Sequence, residues 1–365
     1  MPDTHLLRRD AVRALLREAD VDALLVTDLL NIRYLTGFTG SNAALLLHAE
    51  GEQHTVFSTD GRYRTQSAAE VGDLERVLDR DSAAALLTRA TEKTRVHRRT
   101  GFESHRVSVE EHERFAALAG GIELRRTPGL VERLREVKDE TEIESLRMAC
   151  AAADRALADL LAEGGIRPGR TEREVARDLE GRMLDHGSSG PAFASIVAAG
   201  PNSAIPHHQP TGKVLVTGEL VKLDFGATVE GYHSDMTRTV VLGRPADWQR
   251  DLYDLVWRAQ ASGRAAVLPG TEVAEVDTAA RKVISDGGRA EEFSHGLGHG
   301  VGLEIHEAPR LARNGVGTLS VGMTVTVEPG VYLAGRGGVR IEDTLVVRDS
   351  APELLTLSSK DLVVV

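Results

Sequence analysis

A chain of 365 residues is long enough for two domains, each with its own hydrophobic core. With 27% charged and 41% hydrophobic residues its composition is ordinary for a globular protein, and no stretch approaches the roughly 20 apolar residues of a membrane span. The net charge of −11 argues against nucleic acid or an anionic membrane as the main partner, and it leaves room for an acidic site that binds cations. The N-terminal stretch has no long apolar region of the signal-peptide type, so we expect a cytoplasmic protein.

The first third of the chain alternates helical and strand patterns. Helical spacing near Asp10 to Ala19 precedes the apolar runs ALLVT, AALLLH and HTVFS, which predict strands. Between the first two runs, NIRYLTGFTGS (31–41) contains two glycines and is predicted to be a loop. Because TPGL (127–130) supplies a proline-glycine break, we predict a small α/β domain over residues 1–128.

A second domain is predicted over residues 129–365, and its first clear element is a long helix. In VKDETEIESLRMACAAADRALADLL, Asp139 and Glu142 match a capping box. Apolar residues then recur at helical spacing, namely Ile143, Leu146, Cys150, Ala153 and Leu157. Cys150 is the only cysteine, which excludes an intrachain disulfide and a thiolate metal cluster, and its alanine-rich surroundings predict a core residue.

The second domain contains an internal repeat. RPGRTEREVARDLEGRMLDHG (167–187) resembles LPGTEVAEVDTAARKVISDGG (268–288), with Pro-Gly, a Thr-Glu cap and a helix that ends near glycine in each. A histidine (His207 or His306) and then a strand pattern follow each helix: VTGELVKLDFG in the first copy and SVGMTVTVEPG in the second. We therefore expect two similar halves about a pseudo-twofold axis with a site between them, since two copies are too few for a solenoid.

Acidic residues occupy matching positions on the strands of both copies. Strand periodicity places Asp224 on the polar face of LVKLDFG beside Lys222, and YHSDMTRTVVL is predicted as one strand that carries Asp235. Glu328 and Glu342 take the equivalent places in the second copy, and each pair of strands is predicted to form a hairpin through a glycine-containing turn. A half-exposed sheet with solvated acids is the ordinary explanation for any one of them. Four carboxylates in one pocket would repel each other without cations, and two divalent ions balance their charge.

The stretch FSHGLGHGVGLEIHE (293–307) combines three histidines with four glycines. It is not a phosphate-binding loop, because no Gly-Lys-Ser/Thr follows, and it is not a zincin helix, because glycines separate His295 from His299. The glycines would let the backbone approach a metal cluster closely. Given the four carboxylates, one histidine is predicted to be a metal ligand, and oxygen donors with one imidazole suit Mn²⁺, Co²⁺ or Zn²⁺.

In combination these residues resemble the pita-bread metallopeptidases, the family that includes methionine aminopeptidase, aminopeptidase P and prolidase. The contexts LDFG, SDMTRT, HGLGHGVG, VEPG and VRIED contain the ordered set Asp224, Asp235, His299, Glu328 and Glu342. The stretches TDLLNIRYLTGFTGSNA and STDGRYR resemble the creatinase-type domain that precedes the catalytic domain in aminopeptidase P and prolidase. The resemblance therefore implies an α+β protein, with a creatinase-like N-terminal α/β domain followed by a pseudo-twofold pita-bread catalytic domain.

The resemblance also implies a site with two divalent metal ions per chain. Mn²⁺ is the favoured ion, with Co²⁺ or Zn²⁺ as alternatives. Asp224 would bind one ion, His299 and Glu328 would bind the other, and Asp235 and Glu342 would bridge both. A water or hydroxide between the ions would be the nucleophile.

Further residues receive roles from the same resemblance. Glu328 would carry the proton, and His207 and His306 would bind the scissile carbonyl and the developing oxyanion. His295 would line the pocket beside the proline ring. Arg340 would orient the nearby ligand two residues after it or contact the substrate, and an ordinary salt bridge is an equal alternative.

The implied activity is hydrolysis of the Xaa-Pro peptide bond. An Xaa-Pro dipeptidase (prolidase) must bind a free carboxylate beyond the proline, whereas an aminopeptidase P leaves that end open for longer peptides. Cations available for such a carboxylate are Arg62, Arg64, Arg336, Arg340 and His208. We slightly favour the dipeptidase, acting on proline-containing dipeptides as a homodimer. A creatinase-like hydrolase without metals and a non-enzymatic pseudo-peptidase are alternatives that the complete ligand set disfavours.

Overall fold

The structure is a computed structural model that describes residues 2–92 and 98–365. It divides into two compact units, Met1–Arg135 and Glu136–Val365. The predicted boundary, between residues 128 and 129, precedes the last helix of the first unit. Within the described ranges, no helix has the length and apolar character needed to span a lipid bilayer.

In the described part of the first unit, six strands form one mixed sheet. The strands are β1 (Ala23–Val26), β2 (Ala43–His48), β3 (Val56–Thr59), β4 (Glu75–Leu78), β5 (Arg99–Phe102) and β6 (Glu123–Arg126), in the order β4-β3-β2-β1-β5-β6. The helices are α1 (Pro2–Glu18), α2 (Leu29–Thr36), α3 (Arg64–Glu70), α4 (Ser82–Glu92), α5 (Val109–Leu118) and α6 (Leu130–Arg135). The predicted N-terminal helix and the three predicted strands are confirmed as α1, β1, β2 and β3.

The prediction of a loop over residues 31–41 is wrong. Most of this stretch belongs to α2, because the Asp28 side chain accepts hydrogen bonds from two backbone N–H groups of the first turn. Gly37 then ends the helix in the left-handed conformation, with φ of 78°. The stretch therefore begins as a short capped helix, and its two glycines come after the helix has ended.

The second unit contains the remaining elements. Its helices are α7 (Glu140–Ala162), α8 (Glu172–Asp185), α9 (Asp247–Ala265) and α10 (Val273–Asp286). The strands of its first half are β7 (Gly190–Pro191), β8 (Ile196–Ala199), β9 (Leu220–Phe225), β10 (Ala227–Val229), β11 (Tyr232–His233) and β12 (Met236–Val241). The strands of its second half are β13 (Gly298–Gly300), β14 (Glu307–Leu311), β15 (Thr324–Val327), β16 (Gly330–Leu333), β17 (Gly337–Arg340), β18 (Asp343–Val346) and β19 (Glu353–Leu354).

The two halves of this unit repeat one arrangement of strands and helices. In the first half the antiparallel sheet has the order β12-β9-β8, and in the second half β18, β15 and β13 are neighbours in the same order within a larger sheet. Helix α7 contacts α8 in the first half, and α9 contacts α10 in the second. The internal repeat predicted from the sequence is therefore a structural duplication.

The predicted antiparallel pairing of the strands that carry the acids is confirmed, but the prediction that a single glycine-containing turn joins each pair is wrong. Strands β9 and β12 pair antiparallel but are separated in the chain by β10 and β11, and β16 and β17 lie between β15 and β18. The stretch predicted as a single strand is also interrupted, since β11 ends at His233 and β12 begins at Met236. Asp235 lies in this interruption, and Glu342 lies in the matching break between β17 and β18.

Helix α7 begins as predicted, because Asp139 and Glu142 form the reciprocal hydrogen bonds of a capping box. All five apolar residues predicted for its inner face are buried, and Cys150 has no exposed surface. This face packs with α8 and β9 into the core of the first half, which is separate from the core built by α9, α10 and β15 in the second half.

Candidate metal centre

The five predicted ligand positions meet at the ends of the central strands of both halves. Asp224 lies near the end of β9 and Asp235 directly precedes β12. In the second half His299 lies on β13, Glu328 directly follows β15 and Glu342 directly precedes β18. Because the strands are duplicated, matching acids approach each other from the two halves.

These five side chains share one cavity of about 270 Å³. Its lining residues are Phe193, Ala194, Ile196, His207, Gln209, Asp224, Asp235, His299, Ile305, His306, Glu328 and Glu342. The acids and histidines provide its polar part, and Phe193, Ile196 and Ile305 provide an apolar part. These three residues were not predicted, because in the sequence apolar residues that line a cavity cannot be distinguished from apolar residues of the core.

Three of the four acids in this cavity are buried and Glu328 is partly buried, which excludes a half-exposed sheet with solvated acids. Asp224 is 8% exposed, Asp235 is 5% exposed and Glu342 is 1% exposed. Burial of a charged carboxylate is costly unless it is paired or binds a cation. Their presence therefore requires compensation inside the cavity.

Ligand atoms of the group lie at distances that leave room for a cation. His299 Nε2 is 3.5 Å from Asp235 Oδ2 and 3.5 Å from Glu328 Oε1. One ligand atom each from Asp235, His299 and Glu342 lie within 4.8 Å of one another. These separations are longer than charge-assisted hydrogen bonds, as expected for ligands that surround a common centre.

The tautomer of His299 is suited to metal binding. Its Nδ1 lies 3.0 Å from the carbonyl oxygen of Gly300, and because a carbonyl only accepts, Nδ1 carries the proton. The lone pair of Nε2 then faces the two carboxylates. Burial lowers the pKa of His299 to about 4, so the ring is neutral near pH 7.

Three carboxyl groups of the site, those of Glu328, Asp235 and Glu342, hold their protons strongly in the absence of cations. Burial raises the pKa of Glu328 to about 8. Burial, and then the charge of neighbouring acids, raises the pKa values of Asp235 and Glu342 well above their ordinary range. A divalent cation would displace these protons and neutralise the buried negative charge.

Asp224 differs from the other acids because it has a counter-ion within the protein. The fully buried Arg340 forms an ion pair with Asp224 Oδ2. The other oxygen, Oδ1, is buried and has no hydrogen-bond partner. An unpartnered carboxylate oxygen inside this cavity is a ready ligand for a cation.

Of the alternatives predicted for Arg340, the ordinary salt bridge matches its direct contacts: it pairs with Asp224 and is linked to Glu342 indirectly, through Thr237. The guanidinium contacts Asp224 and also donates to Tyr332 Oη at 2.8 Å and to Thr237 Oγ1 at 3.0 Å. Glu342 instead accepts a hydrogen bond from Thr237 Oγ1 at 2.7 Å. The reason is that β17 ends at Arg340, so the two residues do not continue along one strand face.

His295 lies on the wall of a second cavity, of about 420 Å³, and does not belong to the described lining of the first. Its Nδ1 donates to the Gly296 carbonyl at 2.8 Å, so its Nε2 accepts from Tyr332 Oη at 2.8 Å. Tyr332 in turn accepts from Arg340. His295 is therefore connected to Asp224 through two side chains. Burial lowers the pKa of His295 to about 3.

The two other predicted histidines border the acids directly. The ring centroid of His306 lies 4.4 Å from that of His299, and burial lowers the pKa of His306. His207 follows the 3₁₀ helix Gly200–Ala204 and lines the same cavity. Both are placed to donate hydrogen bonds to a ligand in the cavity.

Most cations predicted for a substrate carboxylate have partners of their own. Arg340 pairs with Asp224, His208 Nε2 lies 2.9 Å from Glu172, and the Arg336 guanidinium lies 4.1 Å from the centre of the Trp248 ring. In the first unit, Arg62 pairs with Asp60 and Arg64 is exposed.

Comparison with known proteins identifies the family. Residues 144–349 match metallopeptidase family M24, and residues 8–137 match the creatinase/prolidase N-terminal domain. The chain belongs to metallopeptidase family M24. It is 33% identical to the Xaa-Pro dipeptidase of Pyrococcus furiosus, over 94% of this chain and 96% of that protein.

Solved structures agree with this membership of the M24 family. The Xaa-Pro dipeptidase from Bacillus anthracis matches with a TM-score of 0.94 and 36% identity, over 99% of this chain and 100% of that one. The X-Pro aminopeptidase from Thermotoga maritima matches with a TM-score of 0.88 and 34% identity, over 95% of this chain and 98% of that one. The predicted creatinase-like N-terminal domain and pita-bread catalytic domain are confirmed, and M24 membership implies divalent metal ions.

Proposed function

We propose that this M24 chain is an Xaa-Pro dipeptidase, or prolidase, that hydrolyses the bond before proline in dipeptides. The observation that carries the proposal is the shared cavity, in which four carboxylates and His299 lie beside His207 and His306. The names of relatives add support, since the proteins from Pyrococcus furiosus and Bacillus anthracis are Xaa-Pro dipeptidases.

In this proposal the cavity binds two divalent cations, with Mn²⁺ favoured and Co²⁺ or Zn²⁺ as alternatives. The residues that would hold these cations are Asp224, Asp235, His299, Glu328 and Glu342. Supporting observations are the unpartnered Asp224 Oδ1 and the free Nε2 lone pair of His299. When bound, the cations neutralise the acids and lower the pKa of water enough for attack near neutral pH.

The remaining residues position the substrate and move protons. Glu328 accepts the proton of the attacking water, and its Oε1 lies 3.4 Å from Thr326 Oγ1. His207 and His306 donate hydrogen bonds to the scissile carbonyl and to the oxyanion that develops from it. His295 lies outside the lining of this cavity, so it is assigned to positioning Arg340 through Tyr332 and not to contact with the proline ring. Because Arg340 is fully buried, it acts through Asp224 and does not touch the substrate.

The substrate proposal is tested with peptides of different length. The metal-loaded protein is expected to hydrolyse Ala-Pro much faster than Ala-Pro-Ala, with Ala-Ala as a control that lacks proline. Faster cleavage of the tripeptide would favour the alternative of an aminopeptidase P, which the Thermotoga maritima neighbour supports. Failure to cleave either proline peptide would contradict both.

The metal proposal is tested by removing and restoring ions. Chelator-treated protein is expected to lose hydrolysis and to regain it with Mn²⁺, Co²⁺ or Zn²⁺, and metal analysis is expected to give about two ions per chain. Full activity in a verified metal-free sample would contradict the mechanism and favour a creatinase-like hydrolase. Metal binding without hydrolysis would favour a pseudo-peptidase.

A homodimer in the cytoplasm is also part of the proposal. The homodimer is supported by family resemblance, and the acidic net charge is consistent with a partner that is neither nucleic acid nor membrane. Light scattering at micromolar concentration is expected to give twice the chain mass.

A further inference from the structure

Lys222 is a fully buried lysine on β9, two residues before Asp224. Its Nζ donates hydrogen bonds to the carbonyl oxygens of Ile205 at 2.7 Å and of Pro206 at 3.1 Å. It also lies 5.1 Å from the centre of the Tyr332 ring. The two carbonyls belong to the residues that directly precede His207. Lysine is almost never fully buried without partners, so these contacts explain why it is tolerated here.

The loop that carries His207 is also held by a second buried side chain, that of Glu172. Glu172, in the first turn of α8, is fully buried and accepts hydrogen bonds from groups before and after His207. These donors are the backbone N–H of Ala199, Asn202 Nδ2, His208 Nε2, and the backbone N–H and hydroxyl of Thr211. The carbonyls held by Lys222 lie between these anchors, immediately before His207.

We propose that Lys222 is a positioning residue for His207: by holding the carbonyls of Ile205 and Pro206, it determines where the imidazole meets the scissile carbonyl. The inference rests on the role of His207 in the proposed function. An apolar residue at position 222 would leave the Ile205 carbonyl without this donor, while the Pro206 carbonyl would keep its bond from Arg340 Nη1 at 3.2 Å. The loop would then shift at Ile205. A small displacement of a transition-state donor lowers the rate of the chemical step far more than it weakens substrate binding.

The kinetic test uses Lys222→Met, which keeps the length of the side chain and removes its donors. With Ala-Pro as substrate we expect kcat to fall about 10-fold to 100-fold and KM to change little. In a His207→Ala background, Lys222→Met is expected to cause almost no further loss, because the lysine acts through that histidine. Losses that multiply in the double variant would overturn the proposal.

The matched control is Lys213→Met. Lys213 belongs to the segment that follows the same loop, but its Nζ pairs with Glu219 at 2.7 Å and 2.8 Å and does not hold the residues before His207. We expect near-normal kcat from this variant. A loss equal to that of Lys222→Met would show a general effect of removing a lysine near the loop and would contradict positioning.

A second measurement is independent of catalysis. Hydrogen exchange of the metal-loaded protein is expected to be faster in the peptide that contains His207 in Lys222→Met, and unchanged in β9 and β12. If no Xaa-Pro peptide is cleaved, the proposed function fails while this exchange result still tests the loop. Unchanged exchange would overturn the inference. If Lys222→Met does not fold, Lys222→Gln replaces it in the test. Its side chain is a shorter donor, so hydrogen exchange in the peptide that contains His207 is expected to be faster than in the wild type, by a smaller factor.

Discussion

The two halves of the catalytic unit share a strand arrangement but place their histidines by different means. In the first half His207 lies on a loop that the buried side chains of Lys222 and Glu172 hold. In the second half His299 lies on β13 itself, where Thr326 Oγ1 accepts its backbone N–H at 3.1 Å. Lys222 and Thr326 each lie two residues before an acid of the site. The duplication has kept the position of the acids while the residues beside them have diverged.

The halves also differ in how they compensate acidic charge. Asp224 of the first half is paired with Arg340, whereas its counterpart Glu328 lies 3.5 Å from His299, which is neutral near pH 7. One acid therefore has an internal counter-ion, and the other depends on a bound cation. Variants of Asp224 and of Glu328 are therefore expected to respond differently.

The largest expected effect is on catalysis. Glu328→Ala removes the proton acceptor and one metal ligand, so kcat for Ala-Pro is expected to fall by about 1000-fold or more. The fold is expected to persist, because the change removes a buried acid without an internal counter-ion. Kinetics with circular dichroism would check both points. Near-full turnover would show that the ligand assignment is wrong.

Asp224→Asn is expected to have the largest effect on stability. In metal-free protein it leaves the buried Arg340 without its counter-ion, which costs about 3–5 kcal/mol in the free energy of unfolding. The matched change Glu328→Gln is expected to cost little or to stabilise, since the neutral amide replaces a carboxyl group whose ionisation is unfavourable here. Urea unfolding in the presence of chelator measures both, and equal stabilities would contradict the difference between the halves.

Thr326→Val examines the second-half support of His299. The change leaves the part-buried His299 N–H without this partner, so we expect a loss of about 1–3 kcal/mol. Thr278→Val is the control, because Thr278 is exposed on α10 and its hydroxyl contacts only the Ala274 carbonyl. The melting temperature of Thr326→Val is expected to lie clearly below that of Thr278→Val. Similar losses of stability would show that Thr326 does not support His299.

The smallest expected effect is a pH dependence of metal-free stability. The pKa of Glu328 is about 8 in the folded protein against an ordinary value of 4.5, so the folded state keeps a proton that the unfolded chain releases. The contribution of Glu328 to stability is therefore expected to fall as pH rises from 6.5 to 8, by about 1 kcal/mol per pH unit, and it is measured as the difference between the wild type and Glu328→Gln. The buried histidines, whose folded pKa values are lowered, contribute mainly below this range.

The comparison with Glu328→Gln isolates this contribution, because the shifted pKa values of Asp235, Glu342 and Lys222 affect the pH dependence of both proteins. Excess Mn²⁺ is expected to reverse the fall in stability, because cation binding requires deprotonated ligands and strengthens with rising pH. A wild-type slope that Glu328→Gln leaves unchanged would assign the proton to other groups.

The ligand positions could be predicted because the duplication repeats them in sequence. Asp224 with Gly226 and Glu328 with Gly330 keep one spacing, and this spacing survives in the matching strands β9 and β15. The partner of Arg340 could not be predicted, since it depends on where the chain leaves β17. Strand periodicity describes residues within one strand and does not report contacts between strands of different halves.

In the first unit, the prediction of local structure failed for a different reason. Two glycines between residues 31 and 41 favoured a loop, although the capping side chain of Asp28 lies just before this stretch and starts a helix. The apolar wall of the cavity was missed for another reason. Phe193 and Ile305 are ordinary hydrophobic residues in sequence, and only the folded chain shows that they face an acidic site.

Cys150 makes the protein convenient for spectroscopy. It is the only thiol of the chain, it lies in the core, and burial raises its pKa well above the ordinary value. Because maleimides and similar reagents attack the thiolate, the native chain is expected to remain unlabelled. A cysteine introduced on an exposed loop would then carry a fluorophore at one defined place, without prior removal of a native residue.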